Sequence, residues 1–362
     1  MLVSDFSYVL PQERIAQEPL PEREASRMLC LSRASGRFED RWFREFPELL
    51  GPGDLVVFND TGVFPARLYG RRSGSKAQPL SPENPASRQF LQGRVELLLT
   101  RQVSEEPNDW ECLVHPGRKI GPGEQLFFGS NDELVAEVLS RGTFGERLVR
   151  FQPVRDFFQV LERLGHVPLP PYIARAAGEF DRERYQTVYA GERGSVAAPT
   201  AGLHFTPAIL DRIRERGIDS ARVTLHIGLG TFQPIRSEQV ETHKLHRESY
   251  KIPEATASKV NQALKENRRV VAIGTTTVRS LEHAARASGQ VEPGTGEADL
   301  FIYPGFGFRV TGALLTNFHL PRSTLLMLVC AFGGTDPVLR AYQHAVNQGY
   351  RFYSYGDCMF VE

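Results

Sequence analysis

The chain has 362 residues, 41% hydrophobic and 24% charged, with 43 lysines plus arginines against 43 aspartates plus glutamates. That length and composition exclude a disordered or fibrous chain and leave room for two domains with real cores. Zero net charge excludes non-specific capture of nucleic acid by the chain as a whole, so any RNA contact has to be a local patch. The N-terminus lacks a basic-then-apolar leader pattern, and the longest apolar run, residues 325–332, is too short to span a bilayer. A cytoplasmic enzyme with no membrane partner is expected. Cys30, Cys112, Cys330 and Cys358 are scattered without C-x-x-C spacing, which suits buried free thiols better than disulfides or a zinc site.

Residues 1–64 read as part of an α/β unit. A short buried strand over 55–58 follows Gly51-Pro52-Gly53 and ends in Asn59-Asp60-Thr61-Gly62, at the edge where open α/β sheets bind ligands. A simple turn, with side chains capping their own backbone, explains the same residues equally well. From 71 to 93 the chain is rich in serine, proline and glutamine, which predicts a mobile loop. Short strand-like runs then fall at 95–100, 111–115, 125–128, 134–139 and 147–151, punctuated by Pro116-Gly117 and Gly121-Pro122-Gly123. They predict a small β-barrel domain inserted over residues 65–151. Alternating strands and helices on both sides make 1–64 and 152–362 one discontinuous α/β domain with a mixed sheet.

A helix is predicted over 156–164, stopped by Gly165, before an extended Pro168-Leu169-Pro170-Pro171-Tyr172. Residues 195–234 carry two glycine- and threonine-lined turns, each with a histidine beside it. Between them lie one helix, capped by Thr206 with Pro207 in its first position, and one strand with Ala221, Val223, Leu225 and Ile227 on its buried face. His204 and His226 therefore stand at the two ends of one helix–strand unit. Gly228 and Gly230 allow close backbone approach to a ligand, and Thr231 adds a hydroxyl. Further on, a buried strand over 270–273 feeds Gly274-Thr275-Thr276-Thr277 and a helix over 278–287. Free N–H groups there favour an anion, which Arg279 can also reach. The turn has neither a Walker lysine nor a three-glycine dinucleotide fingerprint.

His243, His246 and Glu248 sit within six residues. With His226 or His319 the H-x-x-H pair suits zinc, which would make the chain a zinc-dependent hydrolase. The stretch lacks the helical H-E-x-x-H form, however, and no metal is assigned. Imidazoles beside a carboxylate also make a proton-handling cluster. A third reading leaves the histidines structural and the β domain an RNA-binding module.

Seven ordered blocks narrow this choice: PTAGLHFT from Pro199, GTFQP from Gly230, H-x-x-H-x-E-x-Y from His243, GTT-x-VRSLE from Gly274, IYPGF from Ile302, TNFHLP-x-STL-x-MLV from Thr316, and YRF-x-SYGD from Tyr350. Together with DFSYVLP from Asp5 and VFNDT from Val57, they resemble the S-adenosylmethionine:tRNA ribosyltransferase-isomerase family of queuosine biosynthesis over almost the whole chain. Gly62 and Gly312 depart from the family pattern, which usually has arginine and aspartate there. The resemblance implies a monomeric cytoplasmic transferase with an α/β domain and an inserted β-barrel. It would move and isomerise the ribosyl group of S-adenosylmethionine onto 7-aminomethyl-7-deazaguanine at the tRNA wobble position, giving epoxyqueuosine-tRNA, adenine and methionine. S-adenosylmethionine is then a consumed co-substrate, no cofactor is needed, and the partner is a tRNA anticodon stem-loop carrying the modified base.

For that reaction the proton-handling candidates are His204, His226, His243, His246, Glu248 and Asp60. The substrate-binding candidates are Asn59, Thr200, Gly202, Gly230, Thr231, Thr275, Thr276, Arg279, Asn317, His319, Tyr355 and Asp357. Among them Thr275, Thr276 and Arg279 would hold the methionine carboxylate. Arg67, Arg71, Arg72, Arg118, Lys119 and Arg175 are candidates for a basic rim facing RNA.

Overall fold

A computed structural model describes residues 1–73, 94–142, 145–228, 235, 237–243, 245 and 247–362, with the Lys119 side chain also outside the description. Most of the 71–93 stretch, together with Gly230, Thr231 and His246, lies outside the described residues. In chain order the first strands are β1 (Arg27–Leu31), β2 (Phe38–Trp42), β3 (Leu55–Asn59) and β4 (Thr61–Val63). Then come β5 (Arg67–Arg72), β6 (Val95–Ser104), β7 (Asp109–His115), β8 (Gln125–Phe128), β9 (Leu134–Arg141) and β10 (Glu146–Phe151). Helices α1 (Phe157–Leu164) and α2 (Glu179–Arg184), strand β11 (Glu192–Ser195), helix α3 (Pro207–Glu215) and strand β12 (Asp219–Leu225) follow. The remainder is β13 (Glu248–Ile252), α4 (Glu254–Lys265), β14 (Val270–Ile273), α5 (Thr275–Ala284), β15 (Gly294–Ala298), β16 (Ala313–Asn317), α6 (Thr324–Gly333), α7 (Thr335–Asn347) and β17 (Cys358–Val361).

Nine strands form one mixed sheet in the order β15-β13-β12-β3-β14-β16-β17-β1-β2. Its centre, β12-β3-β14-β16, is wholly parallel, so those four strands end at the same edge. Central strands such as β14, Val-Val-Ala-Ile, are buried at every position, as a sheet covered on both faces requires. Along β1 the faces alternate: Met28 packs with Phe46, Phe205 and Ile209 under α3, while Leu29 packs with Leu326 and Tyr342 from α6 and α7. Six further strands, β5 to β10, close a barrel around Leu68, Leu97, Val138 and Phe151. Among the described residues no single helix is long and apolar enough to cross a membrane.

The helix expected over 278–287 begins three residues earlier, at Thr275. Gly274, at φ 90°, makes the turn in a single residue, and the threonines become the first helical turn rather than a loop. Arg71 and Arg72 belong to barrel strand β5 instead of a loop, because they pair with Phe127 and Leu126 of β8. Glu248, the carboxylate of the H-x-x-H-x-E run, opens strand β13, which pairs with both β12 and β15.

Candidate functional site

A cavity of about 700 Å³ opens at the shared C-terminal edge of β12, β14 and β16. Parallel strands deliver their loops to this edge, which is why ligands bind there in open α/β sheets. Ile227 follows β12; Gly274, Thr275 and Thr276 follow β14; Thr316, Asn317, Phe318 and His319 end and follow β16. The turn of Pro199, Thr200 and Ala201 forms another wall, and Tyr172, Tyr353 and Ser354 complete the inner lining. Leu2 to Ser4, Glu238, Arg322 and Ser323 also line it.

Among the described residues His319 is the one imidazole lining the cavity. Its Nε2 is 2.7 Å from the Thr316 hydroxyl, and its carbonyl accepts from the Tyr8 hydroxyl. Burial, with no opposing charge, pushes the ring's pKa down to about 3, so it is neutral at physiological pH. His204 stands one layer behind. Its Nδ1 meets the Ser26 hydroxyl at 2.8 Å and its Nε2 meets Asn317 Oδ1 at 3.3 Å. Since Asn317 Nδ2 must donate to the Tyr353 carbonyl at 2.9 Å, Oδ1 is the acceptor and His204 carries its proton on Nε2. Burial lowers His204 to about 4. His204 therefore orients Asn317, which faces the cavity.

The other expected site residues divide into those on the cavity and those behind or beside it. Thr200, Thr275, Thr276, Asn317 and His319 line it. Asn59 is buried and holds the wall together: Oδ1 accepts from the Leu225 and Thr61 amides, and Nδ2 donates to the Leu225 carbonyl and the Thr276 hydroxyl, all within 3.2 Å. Gly202 is where the wall packs on Tyr189, since a Cβ there would stand 2.1 Å from the Tyr189 hydroxyl. Tyr355 donates to Asp181 at 2.7 Å, and Asp357 accepts from the Arg27 and Arg351 amides at 2.8 Å each. Those contacts hold the turn that presents Tyr353 and Ser354.

Asp60, His226, His243, Glu248 and Arg279 are not among the cavity-lining residues. Asp60 accepts from Thr224 at 2.7 Å, and His226 Nδ1 is 2.8 Å from the Thr61 hydroxyl. Burial lowers the His226 pKa. His243 packs edge-on against Phe301, ring centroids 5.4 Å apart. Glu248 and Arg279 form a buried ion pair at 2.7 Å, so the Arg279 guanidinium is already engaged by a carboxylate. Of the expected rim, Arg72 is buried, Arg175 is held bidentately by Asp181 at 2.6 and 2.9 Å, and Arg71 pairs with Asp132 at 2.6 Å. Arg67 is 3.5 Å from Glu96, whereas Arg118 is exposed.

Arg322 was not anticipated. It is the one lysine or arginine lining the cavity among the described residues, and it sits at φ 59°, with its amide donating to the Phe6 carbonyl at 2.9 Å. A non-glycine residue held in that left-handed region is uncommon. Its place inside TNFHLPRST was the available signal. The contribution of Leu2 to Ser4 had no signal, because it depends on the N-terminal segment pairing with residues 238–240.

The model of the family described as queuosine biosynthesis protein matches residues 3–361. An S-adenosylmethionine:tRNA ribosyltransferase-isomerase of Solibacter usitatus (strain Ellin6076) is 56% identical over 361 residues, covering all of both chains. The enzyme of that name from Geotalea uraniireducens (strain Rf4) is 49% identical with the same coverage. A crystal structure of S-adenosylmethionine tRNA ribosyltransferase from Thermotoga maritima aligns with a TM-score of 0.55 at 38% identity, over 99% of this chain and 100% of that one. These full-length relatives give no support to a zinc hydrolase or to an RNA-binding module without catalysis.

Proposed function

The chain belongs to the queuosine biosynthesis family and is a transferase of the S-adenosylmethionine:tRNA ribosyltransferase-isomerase kind, and from that premise we propose that the cavity at the strand ends is where its two substrates meet. The single observation carrying this reading is His319, a neutral imidazole on the cavity wall with one nitrogen tied to Thr316. The Thr316 hydroxyl donates to the Asn317 carbonyl at 3.4 Å and so accepts from Nε2–H, which leaves the Nδ1 lone pair to act on a bound substrate.

In the reaction the positive sulfur of S-adenosylmethionine acidifies the neighbouring ribosyl 5′ C–H. His319 Nδ1 takes that proton and the electron pair stays on the carbon beside sulfur. That pair expels the ring oxygen from C4′ to leave a vinyl sulfonium, and the freed oxygen closes to a C1′ aldehyde as adenine leaves with the C1′–N pair. The aminomethyl nitrogen bonds to C4′ and passes its proton to adenine, the pair returned to C5′ bonds to the aldehyde carbon, and the resulting alkoxide displaces methionine, which departs with the C–S pair as the epoxide closes. Burial keeps the resting His319 unprotonated and open to a proton, while its lowered pKa also makes it a weak base, so proton removal relies on the sulfonium having acidified the C–H. Asn317, oriented by His204, offers an amide to the sugar or base.

The methionine carboxylate falls to Thr275, Thr276 and Arg322. Amides in the first turn of α5 are unpaired within the helix and attract an anion, and Arg322 replaces Arg279, which Glu248 neutralises. In the same reading the RNA partner is an anticodon stem-loop whose wobble base is splayed into the cavity, as single-stranded loops allow. The protein acts as a cytoplasmic monomer, with residues 65–151 as an inserted domain on a catalytic domain of 1–64 and 152–362.

The test is release of adenine from labelled S-adenosylmethionine. It is expected only when tRNA bearing 7-aminomethyl-7-deazaguanine is present, and His319→Ala should lower kcat by about 100-fold or more. An undiminished His319→Ala enzyme would remove His319 from the chemistry.

A further inference from the structure

Outside the cavity, one surface gathers cations and aromatic rings in a way the barrel core does not explain. Tyr69 on β5 packs against His166, ring centroids 5.1 Å apart at 62°, and the Arg94 guanidinium lies 3.8 Å over the Tyr69 ring. His166 and Arg94 are exposed, and Tyr69 is half-buried. The arrangement is fixed from below, because residues 67 and 166 exchange backbone hydrogen bonds of 2.8 and 3.2 Å.

Three guanidiniums, those of Arg182, Arg94 and Arg67, crowd His166 closely enough to add to the effect of burial and lower its pKa. The acidic groups facing them are few: Glu96 is 3.5 Å from Arg67 and Glu162 is 3.6 Å from Arg182. Among the described residues no carboxylate pairs with Arg94. Like charges gathered around exposed rings are what a polyanion with stackable bases requires.

We propose that Tyr69, His166 and Arg94, flanked by Arg67 and Arg182, form a docking surface for a single-stranded segment of the substrate tRNA, one base stacking on the rings and neighbouring phosphates meeting the guanidiniums. This rests on the reading of the cavity given above. The run from His166 to Tyr172, which turns after Pro170, links the two places, pinned where Arg67 donates to the Leu169 carbonyl at 3.2 Å, and Tyr172 lines the cavity. Six residues reach at most about 20 Å, a span of a few nucleotides. A chain with no net charge needs such a local patch to hold RNA.

The experiment measures Kd for tRNA by fluorescence anisotropy across a salt series, using the full chain and its Arg94→Ala, Arg94→Lys and Tyr69→Ala variants, beside the KM for S-adenosylmethionine. Arg94→Ala should weaken tRNA binding on the order of 10-fold and reduce the slope of log affinity against log salt by about 0.7. Arg94→Lys should keep the salt slope and lose part of the affinity, and Tyr69→Ala should lose affinity with the slope unchanged. The KM for S-adenosylmethionine should not move in any of them. Because Arg94 is exposed, its removal does not endanger folding. Unchanged tRNA affinity and slope in Arg94→Ala would overturn the docking surface, whether or not adenine is released; loss of adenine release in the unaltered protein would instead overturn the reading of the cavity.

Discussion

At the residue scale the site is built by polar groups that satisfy one another before any substrate arrives. Glu248 and Arg279 show the cost of the alternative. Their side chains are 3% and 5% exposed, and each needs the other to be charged inside the fold. Glu248→Ala would leave a buried guanidinium without its carboxylate and should cost about 3–5 kcal/mol, read as a fall in the urea midpoint. A loss under about 1 kcal/mol would mean that the arginine finds water or another acceptor. The H-x-x-H-x-E spacing drew attention to Glu248 as a proton carrier, but spacing says nothing of what stands opposite a side chain. Arg279, thirty-one residues later, stands opposite.

At the element scale, the parallel strands set where the cavity lies, and the turns following them set its shape. The turn over Thr200–His204 illustrates the tolerance. A Cβ at Gly202 would meet the Tyr189 hydroxyl at 2.1 Å and Thr187 Cγ2 at 2.8 Å, so Gly202→Ala must push the turn away from Tyr189. We expect a loss of about 1–3 kcal/mol, partly recovered by adding Tyr189→Phe, with thermal melts of the single and double variants as the check. In the sequence Gly202 reads as a substrate-binding candidate; that Tyr189 packs against it was not legible. Helix α3 was legible in full, because Thr206 and Pro207 are local signals that act without tertiary help, and the Thr206 side chain does accept from the Ile209 amide. The start of α5 was misplaced because β-branched threonines resemble a turn until Gly274 and the packing of β14 and β16 fix them in a helix.

At the scale of the whole molecule, buried neutral histidines tie stability to pH. His204 and His319 are depressed from the usual 6.5 to about 4 and about 3. The unfolded chain takes up these protons as pH falls below about 6.5, whereas the folded chain refuses them until about 4 or below. Their contribution is therefore complete above about pH 6.5 and declines as pH drops towards 4. Between pH 7 and about 4.5 each should remove about 2–3 kcal/mol, visible in urea titrations, and the decline should shrink in His204→Gln. The sequence by itself determined the barrel's short strands, the α/β texture around them, the helix caps and the ordered motifs that mark the family, since these follow from local periodicity, turn chemistry and residue order. Which histidine meets the cavity, that Arg322 stands at its wall while Arg279 is neutralised, and that residues 2–4 share in the lining were decided by the tertiary structure alone. The physical reason is that burial and pairing depend on neighbours tens to hundreds of residues away, brought together only when parallel strands deliver their ends to one edge.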